Sequence, residues 1–408
     1  MKLSAGSTFW EHTLSDPPSY PPLENDAVCD VLIIGGGMAG ALCAHRLSKL
    51  GADTVLIDKR AVGTGSTHAN TGLLQASSDK RLGSFIHTFG KEKGEQFYRL
   101  SKDALLNLRQ AAGELAIDPQ FIPRSSLYYA STPRDADLLR EEGELLRSVG
   151  IECELWDEKT IAARFPFSRS AALYTHGDAE VNPYRFVHGL LAGAASAGVR
   201  ICSGTQALHL DFLPDGVFCR TKRGSISARQ VIFTTGYETQ EIKRDRGADL
   251  VNSYAIVTEP VPSLPKWHER CLIWETARPY LYFRTTPEGR IIAGGLDEPL
   301  TDPQEREVRS LSRRDKLLEK LAEHFPELQG VRAEFAWGAV FGLSRDGLPF
   351  IGPHPDYPHC YFIEGYGGNG TVCSMIGAEL VTDTVAGRTR PELDLFSLTR
   401  SPKPAPAG

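Results

Sequence analysis

Apolar residues along the chain alternate between two periods. Val28–Ile34 is a near-continuous apolar run and reads as a buried strand, Met38–Leu50 carries apolar positions at helical spacing, and Thr54–Ile57 reads as a second strand. Strand, helix and strand in this order predict a βαβ unit. Residues 91–118 and 133–149 are polar with helical periodicity, and Ser126–Ala130 between them reads as a strand. Another helix is predicted over 183–198, ending at Gly198, with short strands following up to Val231–Thr234. The stretch 250–300 is β-rich, with runs at Tyr254–Val257, Tyr280–Arg284 and Arg290–Ala293, and 303–325 is a charged helix. The last block reads strand (Cys360–Ile363), glycine loop (Gly365–Gly370) and helix to Val385, with Val372, Met375, Ile376, Leu380 and Val385 at helical spacing. Residues 1–26, with Pro17, Pro18, Pro21 and Pro22, predict an extended arm anchored by Phe9 and Trp10.

Composition narrows the class. A chain of 408 residues is long enough for two or three domains. With 45 basic against 51 acidic residues the net charge is −6, which argues against a nucleic-acid or anionic-membrane footprint. No run approaches the ~20 apolar residues of a membrane span, and no signal-peptide pattern opens the chain. The eight cysteines form no CxxC pair, so a zinc ribbon or thioredoxin motif is not expected, and a reducing, cytoplasmic setting is. His354 and His359 flank a proline turn, and no metal site is expected there or elsewhere. The acidic residues within 303–323 read as a solvated helix face. The 39 glycines exceed the usual share of about 7% and are clustered, which turns attention to the loops they form.

The first cluster is Gly35-Gly36-Gly37-Met38-Ala39-Gly40, a GxGxxG pattern that follows a strand and opens a helix. Gly35 permits the tight turn, Gly37 lets a pyrophosphate approach the helix N-terminus, and Gly40 lets helix and strand pack closely. Asp58 closes the next strand and is placed to accept from a ribose 2′-hydroxyl; followed by Lys59, it disfavours a 2′-phosphate only modestly. A second match, Gly365-Tyr366-Gly367-Gly368-Asn369-Gly370, also follows a strand and opens a helix, but no strand follows that helix, so it is not a second dinucleotide unit. Its backbone N–H groups and dipole suit the N1–C2=O edge of a reduced flavin, or serve as a helix cap alone.

These motifs resemble the FAD-dependent D-amino-acid oxidase superfamily, which includes glycine oxidase and sarcosine oxidase. The resemblance spans about 28–390. It rests on the fingerprint at 35–40, the loop Gly65-Ser66-Thr67-His68-Ala69-Asn70-Thr71-Gly72-Leu73-Leu74, the segment Gly177–Pro183, Thr234-Thr235-Gly236, and the stretch from Trp337-Gly338 through Asp346–Gly352 to Gly370. The proline-rich arm and Asp346-Gly347-Leu348-Pro349 look most like the gamma-glutamylputrescine oxidase branch. The implied fold is α/β: a Rossmann-type FAD-binding domain from discontinuous segments (25–85, 175–238 and 335–395) and a substrate domain with a mixed β-sheet and helices (86–174 and 239–334). An arm (1–24) and a tail (396–408) flank them. The implied chemistry is oxidation of a C–N bond of an amine or amino acid. Hydride passes to flavin N5, the imine hydrolyses, and electrons leave to oxygen or another acceptor. The alternative is a flavin-carrying dehydrogenase subunit that hands electrons to a protein partner.

The resemblance also assigns roles. Met38, Ala39, Lys59, Gly65, Ser66, Thr67, Asn70, Thr71, Gly72 and Leu73 would line the cofactor, with Thr235, Gly236 and Gly342 beside it and Gly367, Gly368, Asn369, Gly370 and Thr371 at the flavin end. Some relatives link FAD to a histidine in the 65–73 loop. Here Ala69 stands at that position and His68 one before it, so non-covalent FAD is expected, with His68 either a flavin contact or an ordinary loop residue. Phe341 falls where glycine oxidase and D-amino-acid oxidase carry the arginine that binds the substrate carboxylate. In Tyr280-Leu281-Tyr282-Phe283-Arg284, strand alternation puts Tyr280, Tyr282 and Arg284 on one face. That face would line the substrate pocket, with Arg284 replacing the missing arginine, or would be a solvent-facing sheet surface. Tyr254 is a weaker candidate on the preceding strand.

Overall fold

The computed structural model describes residues 1–243, 247–264, 266–300 and 302–400. Two sheets organise the chain. The first has eight strands. Ala27–Ile34 lies at its centre, parallel to Thr54–Ile57 on one side and to Ser225–Phe233 on the other. Arg200–Cys202 and Tyr357–Glu364 extend the parallel core outward. Strands buried on both faces need apolar residues on both, which explains the unbroken run at Val31–Ile34. The helix Met38–Lys49 covers one face and packs on the helices Pro183–Ser196 and Gly370–Val385. Its small buried positions Ala41, Cys43 and Ala44 allow that close approach.

The second sheet has ten strands and is mostly antiparallel. Ala333–Ser344, Ala248–Thr258, Ile291–Glu298, Leu281–Thr285 and Leu272–Glu275 follow one another across it. Ile122–Tyr129 joins Leu272–Glu275 in parallel, and Ala171–Glu180 follows. The charged helix Pro303–His324 buries Leu317 and Leu321 against this sheet.

Several boundaries differ from expectation. The first segment is not merely an extended arm: Ser4–Ser7 is a strand paired with Ala336–Ala339, and Phe9 and Trp10 are buried behind it. Ala171–Glu180 and Ala333–Ser344 run across unit boundaries drawn from sequence. Leu73–Leu74, Ala171–Glu180 and Ala333–Ser344 all hydrogen-bond into the ten-stranded sheet, because backbone pairing continues past the motifs that mark the cofactor segments. The expected tail begins with structure: Phe396 is buried and Arg400 pairs with the Asp346 carboxylate at 2.7 Å. Residues 401–408 lie outside the described residues. No helix among the described residues is long and apolar enough to cross a membrane.

Candidate active site

A cavity of about 550 Å³ opens at the carboxyl ends of the parallel strands, where Ile34, Ile57, Phe233 and Ile363 reach its wall. This is where open α/β sheets bind ligands. Its opposite wall comes from the ten-stranded sheet, through Ser253, Trp274, Tyr282, Asp297 and Phe341.

The nucleotide end follows from the glycine fingerprint. Gly35 has φ +114°, a region costly for other residues, and a Cβ there would lie 2.5 Å from the Thr234 carbonyl oxygen. A Cβ on Gly40 would lie 1.9 Å from the Gly35 oxygen, so the helix can approach the strand only with glycine there. Helix Met38–Lys49 starts from Gly37, which has no side chain to cap it, and faces the cavity through Gly37, Met38 and Ala39. Asp58 sits at the same end. It accepts from the Gly36 N–H at 2.7 Å and the Arg60 N–H at 2.8 Å, and burial raises its pKa. Lys59 and Arg60 both pair with Glu238.

The loop after Gly65 runs along one side. The Thr67 hydroxyl accepts from the Met38 N–H at 3.1 Å, and Asn70 Oδ1 accepts from the Gly72 N–H at 2.7 Å. Gly65, Ser66, Thr67, Asn70, Thr71 and Leu73 reach the wall, as do Thr235 and Gly236 across from them. The far end is formed by Gly367, Gly368, Asn369, Gly370 and Thr371, at the N-terminus of helix Gly370–Val385, which also has no side-chain cap. Asn369 Nδ2 donates instead to the carbonyls of Gln75 and Ser77.

Residues 30–384 match the model of the family described as FAD dependent oxidoreductase. The chain belongs to that family. This FAD-dependent oxidoreductase is 26% identical to glycine oxidase of Geobacillus kaustophilus over 395 residues, 91% of this chain and 97% of that protein. It is 23% identical to gamma-glutamylputrescine oxidoreductase of Escherichia coli, covering 93% of this chain and 89% of that one. It is 25% identical to a putative Rieske 2Fe-2S iron-sulfur protein of Bacillus subtilis, covering 97% of this chain and 76% of that one. The crystal structure of the Geobacillus glycine oxidase superposes with a TM-score of 0.76 at 22% identity, over 92% of this chain and 99% of that one.

The cavity of this FAD-dependent oxidoreductase fits the cofactor its family implies. Two helix N-termini, of helices 12 and 16 residues long, face one space; the Met38 N–H is held by the Thr67 hydroxyl, and each end presents the positive end of a dipole. One suits a pyrophosphate and the other an electron-rich ring edge.

Three expected catalytic residues are not on the wall. Arg284 is buried beyond it: its guanidinium donates to the carbonyls of Gly72 (2.8 Å) and Val181 (3.1 Å) and lies 5.4 Å from the Trp10 ring centroid. Alternation placed it correctly on the face of Tyr282, but one step further along the strand the cavity has ended. Tyr254 also points away, with its hydroxyl on the Glu298 carboxylate, while its neighbour Ser253 faces the cavity. His68 turns outward, with Nε2 3.3 Å from the Ser4 hydroxyl, and burial lowers its pKa. Gly40, Gly72 and Gly342 also stand behind the wall rather than on it. A Cβ on Gly72 would meet the Val181 oxygen at 2.2 Å, and one on Gly342 the Tyr366 ring at 2.1 Å, so these glycines make room for close packing.

Tyr280, Tyr282 and Phe341 do reach the wall, and sequence reasoning missed their neighbours. Asp79 Oδ1 accepts from the Tyr280 hydroxyl at 2.9 Å and Oδ2 from the Gly368 N–H at 2.5 Å. Trp274 lies 6.1 Å from Tyr280, nearly edge-on at 78°. Asp297 reaches the wall beside Ser253, and burial raises its pKa to about 6. Burial, with the Asp79 and Asp297 charges nearby, also raises the Tyr280 pKa. One signal in the sequence could have found Asp297: the Gly294-Gly295 pair, a common mark of a strand irregularity.

Proposed function

We propose that the protein oxidises the C–N bond of an amine or amino acid, using FAD held without a covalent link. The observation that carries this reading is the single cavity joining the fingerprint helix, the second helix N-terminus and an aromatic wall. The bound flavin supplies a hydride acceptor. The chain's part is to hold and orient. Gly37, Met38 and Ala39 would face the pyrophosphate, and Asp58 the ribose. Gly367–Thr371 would face the electron-rich ring edge, where a helix dipole favours negative charge. Tyr280, Tyr282, Trp274 and Phe341 would exclude water and pack on the substrate. The imine product would then hydrolyse. The non-covalent reading is supported by the outward turn of His68 and by the absence of cysteine from the cavity wall among the described residues. The names of the glycine oxidase and gamma-glutamylputrescine oxidoreductase relatives agree with an amine or amino acid as substrate.

A second reading, electron delivery to a protein partner, is favoured by one relative. The chain aligns with 76% of a protein named for a Rieske cluster. Anaerobic mixing of the yellow holoenzyme with a panel of amines, N-methyl glycines and D- and L-amino acids tests the proposed chemistry. Bleaching of the flavin by a panel member is expected, and no bleaching by any of them overturns it. Peroxide formation in air separates direct oxidation by oxygen from delivery to a partner.

A further inference from the structure

The substrate end of the cavity has an unusual charge pattern. Its wall carries two carboxylates, Asp79 and Asp297, beside Tyr280, Tyr282 and Trp274. The Tyr280 and Tyr282 rings lie 6.0 Å apart at 53°, so they meet at an angle. The basic residues on the wall, among those described, are Lys59, Arg60 and His209. Lys59 and Arg60 are at the nucleotide end, both paired with Glu238. His209 lies in the 205–210 stretch that is tied to the Asp58 backbone at Thr205. Two arginines approach the substrate end from behind and are already used. Arg284 is bound to backbone carbonyls, and Arg278 donates to the carbonyls of Glu275, Thr276, Ala277 and Asp79.

Asp297 is brought there by a β-bulge. Asn252 pairs with Glu298 and Tyr254 with Gly295, so Leu296 and Asp297 together face Ser253. Leu296 takes φ +59°, a conformation that costs a non-glycine residue of order 1–3 kcal/mol. The bulge turns Asp297 into the cavity, and its buried Oδ1 has no hydrogen-bond partner. A substrate carboxylate would meet two like charges here and no free guanidinium. An ammonium would meet a carboxylate whose Oδ1 is unpaired and a wall of aromatic rings, a class of group that attracts cations.

We propose, on the basis of the amine-oxidising reading, that this end of the cavity selects an organic ammonium carrying no α-carboxylate, with Asp297 as its counter-charge. Asp297 is the specificity-determining residue, and Tyr280, Tyr282 and Trp274 form the ring wall around the alkyl chain.

The test uses the holoenzyme and two probes, n-butylammonium and butyrate. Each is titrated while the flavin absorbance spectrum and the melting temperature are followed. Saturable binding of n-butylammonium, tighter than that of butyrate, is expected, and Asp297→Asn should weaken it about tenfold or more without lowering the melting temperature of the ligand-free protein. Butyrate binding as tight or tighter, binding of neither probe, or an unchanged n-butylammonium affinity in Asp297→Asn overturns the proposal. The substrate panel keeps the two readings apart. If glycine or other α-amino acids bleach the flavin and alkylamines do not, the oxidase reading stands and this inference falls. If nothing bleaches the flavin yet n-butylammonium binds through Asp297, the cation site stands and the oxidase reading falls.

Discussion

The Arg284 guanidinium donates to the Gly72 carbonyl at 2.8 Å, tying a strand of the large sheet to the loop that lines the cofactor cavity. The same group reaches the Val181 carbonyl, and burial lowers its pKa. This is a fastening role. Arg284→Ala would take the guanidinium donor from the Gly72 and Val181 carbonyls, the first of which keeps the Val181 N–H at 2.9 Å, and would leave a void beneath Trp10, at a cost of about 2–4 kcal/mol. Chemical denaturation should show that loss. The KM of the folded enzyme for its substrate should stay within about twofold of wild type, whereas loss of a substrate clamp would raise it by tenfold or more.

Gly40 controls the distance between fingerprint helix and strand. In Gly40→Ala the new methyl would start 1.9 Å from the Gly35 oxygen and 2.8 Å from the Thr234 hydroxyl, so the helix must shift. Overpacking of this kind costs about 1–3 kcal/mol. Because the shift moves the N–H groups at Gly37–Ala39, FAD affinity should fall by about tenfold or more, measured by equilibrium dialysis of the flavin.

His68 faces Ser4, away from the cavity. Acid precipitation of the holoenzyme should therefore leave the flavin in the supernatant, and His68→Ala should release the same amount. Flavin remaining on the precipitated wild-type chain would contradict the non-covalent reading.

Asp297 makes substrate binding depend on pH. Burial raises its pKa to about 6, so the carboxylate is charged above that value and neutral below it. The groups around it are the Ser253 hydroxyl, Asp79, Tyr280 and Tyr282, with Arg278 behind. The two tyrosines are held above their ordinary pKa and stay neutral through this window. Protonating Asp297 removes the counter-charge from an ammonium, so KM for a cationic substrate should rise as pH falls through 6. At pH 5 only about a tenth of Asp297 would be ionised, giving roughly a tenfold increase. The slope should disappear in Asp297→Asn. For folding, the sign is opposite. A carboxylate whose folded pKa is raised destabilises the fold when charged, so Asp297 contributes a loss of stability as pH rises between about 4 and 6.

The cofactor half of the site was legible because its requirements are local. Gly35, Gly37 and Gly40 stand at fixed spacing in a strand–turn–helix, and each spacing answers a steric demand that any sequence would meet the same way. The substrate half depends on where strands end and how they are offset, and composition does not record that. Alternation assigned Tyr280, Tyr282 and Arg284 to one face, but it carries no information on depth, so Arg284 was read as a ligand. For Tyr254 the sequence offers no face: its neighbour Ser253 is the residue that meets the cavity, and a one-residue offset is enough to exchange the two sides of a strand. Asp297 escaped notice because a bulge, not a regular strand, delivers it. The acids that shape the pocket's charge were therefore hidden, while the glycines that shape its backbone were in plain sight.

The pairing of Ser4–Ser7 with Ala336–Ala339 has a consequence for the order of assembly. The first strand of the chain must wait for more than three hundred residues to be synthesised before its partner exists, and the fingerprint strand Ala27–Ile34 waits until Ser225–Phe233 for one of its neighbours. Contacts this distant in sequence slow folding. On the ribosome, then, the fingerprint stands ready long before the opposite wall of the cavity has been made. A flavin that arrives early meets half a site. The cavity is complete only once Gly367–Thr371, late in the chain, has been made.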